Sequence, residues 1–383
     1  MAAQLLKFIS SLRLTVACLS LALVLVFAGT IAQVEHGLWD TQVRFFRSMF
    51  VYWRPTGGAF ALPVLPGGYL LGWVLLINLL AAHYVRFKFA WSKLGIFMTH
   101  FGLIFLLLGQ FLTEQFQVES SMRLEEGETR NFSEATRNTE LVFVNQANPD
   151  YDQVVAIPQS IYAKGGEIAH PQLPFKVKVE QFLVNSRLRE RAPMVSTSPP
   201  ASTQGIGTRA ELIPTPPATA MDEGNAPSAV ISLSGAGAPA GTWLVSLNLE
   251  TPQPITVGDQ TWMAAIRFTR LYTPYSISLI DFRHDKYLGT DKPKNFSSEI
   301  RLEDPTTRES RETIIKMNQP LRYAGKTYFQ ASFDQRNDRV TILQVVANPA
   351  WLTPYVSVIV IGLGLLVQFS MHLFKFVNRR KTA

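Results

Sequence analysis

Four long apolar runs, three in the first third of the chain and one at its far end, limit what these 383 residues can fold into. The first, "LTVACLSLALVLVFAGTIA" (14–32), carries no charge. The second, "YLLGWVLLINLLAAHYV" (69–85), has His83 as its one titratable group with a charge to offer. The third lies at 95–112 within "KLGIFMTHFGLIFLLLGQFL", and the fourth is "PYVSVIVIGLGLLVQFSMHLF" (354–374). At 1.5 Å of rise per residue, roughly 20 residues cross the roughly 30 Å of a bilayer core. The pattern predicts four transmembrane helices, grouped as a membrane region at 1–113 and a last span with a basic tail at 351–383. Lys7, Arg13 and the small residues near Ala32 also fit a secretory signal, but further spans follow almost at once.

Basic residues set the orientation. Lys7 and Arg13 precede the first run, and Arg86, Lys88 and Lys93 lie between the second and third. Lys375, Arg379, Arg380 and Lys381 follow the fourth. Four crossings put all three clusters on the cytoplasmic side of a bacterial inner membrane, with both termini there and 114–350 outside. Arg44, Arg47 and Arg54 weaken that bias without reversing it. These anchors account for most of the net charge of +7, so no nucleic-acid partner is needed to explain it. The single cysteine, Cys18, sits in the first run, so the outer domain has no thiol or disulfide chemistry. Without C-x-x-C-H the chain does not attach haem covalently to itself.

Between the first two runs, "HGLWDTQVRFFRSMFVYWRP" predicts a short helix over about 37–54, lying in the membrane interface. The outer region alternates as β-strands do. Phe175, Val177 and Val179 face one way in "FKVKVE"; Trp243, Val245, Leu247 and Leu249 do so in "WLVSLNLE"; Tyr275, Ile277 and Leu279 do so in "YSISLIDF". Hairpins are expected across Gly258-Asp259 and Ala324-Gly325. An antiparallel sandwich or open barrel follows. Within it, the Pro/Ser/Thr-rich stretch at 191–228 predicts a disordered or extended excursion.

Among six histidines, His170 and His284 read as solvated loop residues, and His83 and His372 as headgroup anchors near cytoplasmic span ends. His36 lies just past the first span. His100 differs, because it lies inside a span, where an ionisable group is a functional candidate. Gly95, Gly102 and Gly109 recur every seven residues and form one stripe, with His100 roughly opposite. The glycine stripe suits packing on another span. His100 would then point to a cavity or a second subunit, or bond to a neighbouring helix carbonyl. The four runs hold no Asp or Glu to carry a proton relay, so axial ligation of haem iron suits it better. "NPDYD" (148–152) is too poor in oxygen ligands for a calcium loop and reads as a turn.

The combination resembles the ResB-type proteins of cytochrome c biogenesis system II. Four features carry the likeness: "SLRLTVACLSLALVLVFAGTIAQ" with "FFRSMF"; "THFGLIFLLLGQ"; the stretch from "IDFRHDKYLGTDKPKNFSSEIRLED" to "IIKMNQPLRYAGKTYFQASF"; and "TILQVVANPAW" before the last span. The resemblance implies a membrane subunit that, with a ResC-type WWD-domain partner, carries haem b outward and presents it to apocytochrome c. It implies an accessory of a haem lyase rather than a stand-alone catalyst, with His100 as an axial ligand of the haem iron. The scattered tryptophans form no WWD segment, so the chain is not a fusion with that partner. The alternative is a membrane-anchored β-domain scaffold that binds apocytochrome and no haem. The resemblance assigns no role to His36, His83, His284 or His372.

Overall fold

The computed structural model describes residues 2–53, 55, 60–86, 90–191, 199–221, 223–289, 293–334 and 336–381. Arg54 and Lys88, two of the charges used for orientation, lie outside them. The chain divides into two compact units. The first comprises Met1–Val118, Thr219–Met221 and Ala347–Ala383; the second comprises Glu119–Ala218 and Asp222–Val346.

The first unit is helical. It contains α1 (Ala2–Ile9), α2 (Leu12–His36), α3 (Leu38–Thr41), α4 (Gly68–Arg86) and α5 (Leu94–Phe116), with the last helix of the chain, Thr353–Lys381, returning to it. Four of these helices are long and apolar enough to cross a membrane, at the four expected places. Ser11 starts α2 by accepting the Leu14 N–H, which satisfies one of the otherwise orphaned amides. Gly37 ends it at φ +73, with its N–H returned to the Gln33 carbonyl. A Cβ at Gly37 would come within 2.6 Å of the Thr219 carbonyl oxygen, and Trp39 donates its N–H to that same oxygen at 3.0 Å. That contact is why Thr219–Met221, from within the Pro/Ser/Thr-rich stretch, belongs to the helical unit.

The helix predicted over about 37–54 is shorter than expected. α3 runs into one π-helical turn at Gln42–Phe46, and the chain then straightens into β1 (Phe50–Trp53), which pairs with β2 (Leu62–Pro66). Phe-Val-Tyr-Trp is a β-prone run, and pairing across this hairpin satisfies backbone that a continued helix would have used. Met49, Tyr52, Trp53 and Val64 remain exposed on it.

The second unit is mainly β. Its strands begin with β3 (Val118–Glu125), β4 (Thr129–Asn145), β5 (Gln153–Pro158), β6 (Gly166–Ile168), β7 (Lys176–Leu183), β8 (Ser186–Glu190) and β9 (Ala210–Pro214). They continue with β10 (Ser228–Ser234), β11 (Thr242–Ser246), β12 (Gln253–Val257), β13 (Gln260–Lys286), β14 (Pro293–Asp304) and β15 (Glu309–Lys316). β16 (Leu321–Tyr323), β17 (Lys326–Asp334) and β18 (Asn337–Ala347) complete the set. One short helix, α6 (Gln159–Tyr162), interrupts them, which makes Thr353–Lys381 α7. A ten-stranded sheet runs β15-β14-β13-β4-β3-β18-β17-β16, with β12 on β13 and β5 on β4. The Lys316–Gln319 bridge brings its two ends close, so the sheet nearly closes on itself. A four-stranded sheet, β11-β10-β7-β6, stands beside it.

The 27-residue β13 joins two cores. Its first half gives Trp262, Ala264 and Ile266 to a core shared with Phe175, Val177, Val179, Ile231 and Val245. Its second half gives Tyr275, Ile277 and Leu279 to a core with Leu124, Ile300, Ile315 and Tyr328. The strand shifts register against β4 between Tyr272 and Ile277, and that irregularity lets one strand serve both.

Both expected hairpins form. Val257 pairs with Gln260 across Gly258-Asp259, and Tyr323 pairs with Lys326 across Ala324-Gly325. Ala324 and Gly325 have φ of 46° and 74°, the left-handed pair that a tight I′-like turn requires. The strand predicted through Leu249 instead stops at Ser246, where Leu247 donates its N–H to the Pro227 carbonyl and Leu249 donates its N–H to the Ser246 carbonyl. The Pro/Ser/Thr-rich stretch also differs from its expectation. Within its described part, a 3-10 turn at Gly205–Arg209 leads into β9, which pairs with β8. Ala210, Val230 and Leu244 form a small core there, so Ala and Leu interspersed among the Pro and Ser suffice to bury a face. Residues 192–198 of that stretch lie outside the described residues.

Candidate functional site

The glycine stripe of α5 packs on α7. A Cβ at Gly95 would meet the Gly364 carbonyl oxygen at 2.5 Å, and one at Gly102 would meet Ile361 Cγ1 at 2.7 Å and the Ser357 carbonyl at 3.0 Å. Gly109 lies against Thr353. Only a hydrogen side chain permits such an approach, which is why every seventh residue is glycine. Thr99 reinforces the seam, its hydroxyl bonding back to the Gly95 carbonyl at 2.9 Å beside Gly364.

His100, opposite that stripe, faces α4. Its ring meets the ring of His83 edge to face, with centroids 5.3 Å apart at 66°. Phe97 lies 5.3 Å from His83 on the same side. On the side expected to look onto a cavity or a second subunit, His100 has a contact within the chain: α5 is flanked by α7 on one side and α4 on the other. His83 is likewise not simply a headgroup anchor. Sequence reading treated the two histidines separately. They meet because α4 and α5 run antiparallel, which puts the end of one beside the start of the other.

Asn78 was passed over as well. It is 3% exposed in the middle of α4. Its amide donates to the carbonyls of Ile9 at 2.5 Å and Ser11 at 3.1 Å, and its oxygen accepts from Thr15 Oγ1 at 2.6 Å. One side chain thus satisfies the backbone where α1 breaks from α2. A lone amide inside an apolar run was the available signal.

Toward the opposite ends of the same two helices lies a cavity of about 500 Å³. Leu76, Trp73 and Phe111 line its apolar part, and Trp73 and Phe111 meet edge to face at 4.8 Å. At its polar end Arg47 pairs with Glu114 Oε1 at 3.1 Å, and Tyr69 donates to that same oxygen at 3.1 Å.

The remaining histidines separate. His36 closes α2, and His372 bonds to Gln368 at 2.8 Å on α7. His170 sits in a loop and accepts the Gln172 N–H at 3.3 Å. His284, read as a solvated loop residue, instead lies on β13, facing Phe333 at 4.1 Å and Phe296 at 6.2 Å. The strand continues past Asp281, and its alternation turns His284 inward while Asp281 and Arg283 pair on the outside. At 148–152, Asn148 accepts the Asp150 N–H, as a turn does. Among the described residues no three of His, Cys, Asp and Glu come together as metal ligands.

What the helical unit offers chemically is two imidazoles in an apolar setting, with the nearest carboxylate of α5, Glu114, about four turns away along the helix and already paired. An imidazole nitrogen in an apolar setting is a donor suited to a haem iron. The rings touch, so no macrocycle lies between them in this arrangement.

Residues 251–348, from β12 through β18, match the model of the ResB-like family. Over that stretch, about a quarter of its length, the chain is similar to the ResB-like family. The matched region contains the stretch at 280–333 that carried the resemblance, together with "TILQVVAN" (341–348) of the segment before α7. The chain is also similar to Protein NrfI of Wolinella succinogenes, 34% identical over 93 residues. That similarity covers 24% of this chain and 10% of NrfI, so the chain matches about a tenth of its relative's length. The family match begins after α5 and ends before α7, so it covers the later strands of the β unit and leaves His100 to be argued from the helical unit alone.

Proposed function

We propose that this chain is a membrane subunit of cytochrome c biogenesis, and that haem b is its cargo. The ResB-like match and the likeness to NrfI support the biogenesis role. Four helices long and apolar enough to span a bilayer support placement in the bacterial inner membrane. The basic clusters flanking them favour cytoplasmic termini and a periplasmic β unit. In this reading a ResC-type WWD-domain protein is the partner and apocytochrome c the recipient.

The observation that carries haem handling is the pair of imidazoles, His100 and His83, in contact within an otherwise apolar helix pair. His100 takes one axial position on the cargo iron while the partner supplies the other. For that, the two rings separate and His100 turns its nitrogen away from α4. The β unit holds the apocytochrome near the outer face, and the thioether chemistry belongs to the partner surface.

The contact itself favours a second reading, in which His83 is the ligand and His100 orients it. Two variants of the purified complex with the partner tell these apart. His100→Ala should abolish the reduced-haem absorbance and exogenous imidazole should restore it, while His83→Ala should retain it. Loss with His83→Ala and retention with His100→Ala would transfer the ligand role. A wild-type complex with no Soret band would leave a membrane-anchored scaffold that binds apocytochrome and no haem.

A further inference from the structure

We infer that the cavity near the start of α4 and the end of α5 binds a neutral ring bearing carbonyl or hydroxyl oxygens on an apolar tail, that is, a membrane quinone. This goes beyond haem handling and does not rest on it, since the cavity and the His83–His100 contact lie at opposite ends of the same helices.

Size comes first. About 500 Å³ is well inside the range of small-molecule sites. The walls then sort the ligand. Trp73, Phe111, Leu76 and Leu107 make most of the surface apolar, and the two aromatic rings meet edge to face, a corner against which a third flat ring can pack.

Charge decides among flat ligands. Arg47 is the cavity's one cation and Glu114 its one anion, and they are paired at 3.1 Å. The Arg47 guanidinium also stands 5.5 Å over the Trp39 ring. The site is balanced, so a ligand with two carboxylates, such as a porphyrin, would bring uncompensated charge next to Glu114. A neutral ligand avoids that cost. Tyr69 and the amides of Gln42 and Gln110 at the rim supply donors and acceptors for ring oxygens.

The approach is from the apolar side. Trp73, Leu108, Phe111 and Leu112, all on or beside the rim, are exposed on the surface of a helix pair suited to lipid. An isoprenoid tail can therefore lie along α5 while the ring enters. Gly72 leaves the cavity open, because a Cβ there meets no atom within 4 Å, although Gly72 lines it.

That glycine supplies a clean test. A Cβ at 72 meets no atom, so leucine there projects into the cavity from an unstrained start and improves a helix position. The full chain, purified in nanodiscs, is titrated with decylubiquinone while tryptophan fluorescence and thermal unfolding are followed. The wild type should show saturable quenching and a raised melting temperature. Gly72→Leu should weaken binding by about tenfold or more with an unchanged or higher melting temperature before ligand. Trp73→Phe should lose most of the quenching yet keep the thermal shift, and His100→Ala should bind as the wild type does. The proposal is overturned if the wild type shows no saturable binding, or if Gly72→Leu binds as tightly. It is also overturned if protoporphyrin displaces the quinone at equal concentration, which would make the site a porphyrin pocket.

Discussion

Single side chains decide the local order in both units. Asn78 closes three hydrogen bonds at the break between α1 and α2. Replacing it by Leu keeps the volume but removes the donor to the Ile9 carbonyl and one of the donors to the Ser11 carbonyl. The expected cost is about 1–3 kcal/mol, seen as earlier unfolding of the chain in detergent, with Asn78→Asp worse than Asn78→Leu because it adds a charge at that depth. In the β unit, Tyr328 and Tyr275 share a hydroxyl–hydroxyl bond of 2.7 Å, with both rings buried. Burial pushes the Tyr328 hydroxyl well above the usual phenol range, so it stays a neutral donor or acceptor at any physiological pH. Tyr328→Phe should lower stability by about 1 kcal/mol, measured by denaturant unfolding, without altering the strand content seen by circular dichroism.

Whole elements depend on where glycine is. The α5–α7 seam needs Gly102, whose hypothetical Cβ already crowds Ile361 and Ser357. Gly102→Leu should split the two helices, and a cysteine pair engineered across the seam should then cross-link far less efficiently than in the parent. Gly72, on the next helix, behaves oppositely, because its Cβ has room. The Ala324-Gly325 turn shows the second use of glycine. Gly325 sits at φ 74°, and Gly325→Val should cost about 1–2 kcal/mol from left-handed strain, visible as a lower melting temperature. Ala324→Gly, relieving its own φ of 46°, should raise it slightly.

At the scale of the molecule, acid should act first on the β unit. Asp304 is held below the usual carboxylate range by the Tyr323 hydroxyl and then by the Thr306 and Thr307 amides. Asp334 is held down by the Arg336 amide and then by Arg123. A folded-state pKa below the unfolded value stabilises the fold above about pH 4 and is lost as pH falls through the folded value. The melting temperature should stay level from about pH 8 to 5 and drop below about 4, and Asp304→Asn with Asp334→Asn should flatten that drop.

The amino-acid sequence by itself determined the elements whose physics is local. Four uncharged runs of bilayer length become four helices because nothing in them breaks a helix or repays exposure to water. Period-two alternation at Phe175–Val179 and Tyr275–Leu279 buries those side chains, since a strand has only two faces. Glycines at a seven-residue spacing announce a close helix contact, and the ResB-like likeness was legible in the β strands around Asn318 and Gly325. Only the tertiary structure chose the partners. It brought α7, separated from α5 by the whole β unit, onto the glycine stripe, and it set His83 against His100 through antiparallel pairing of α4 and α5. It also turned His284 inward between Phe296 and Phe333, and shaped the cavity where α4 and α5 stand apart. Such meetings depend on contacts between residues far apart in the chain, and a pattern of polarity along one strand or helix says which face is buried but not what will cover it.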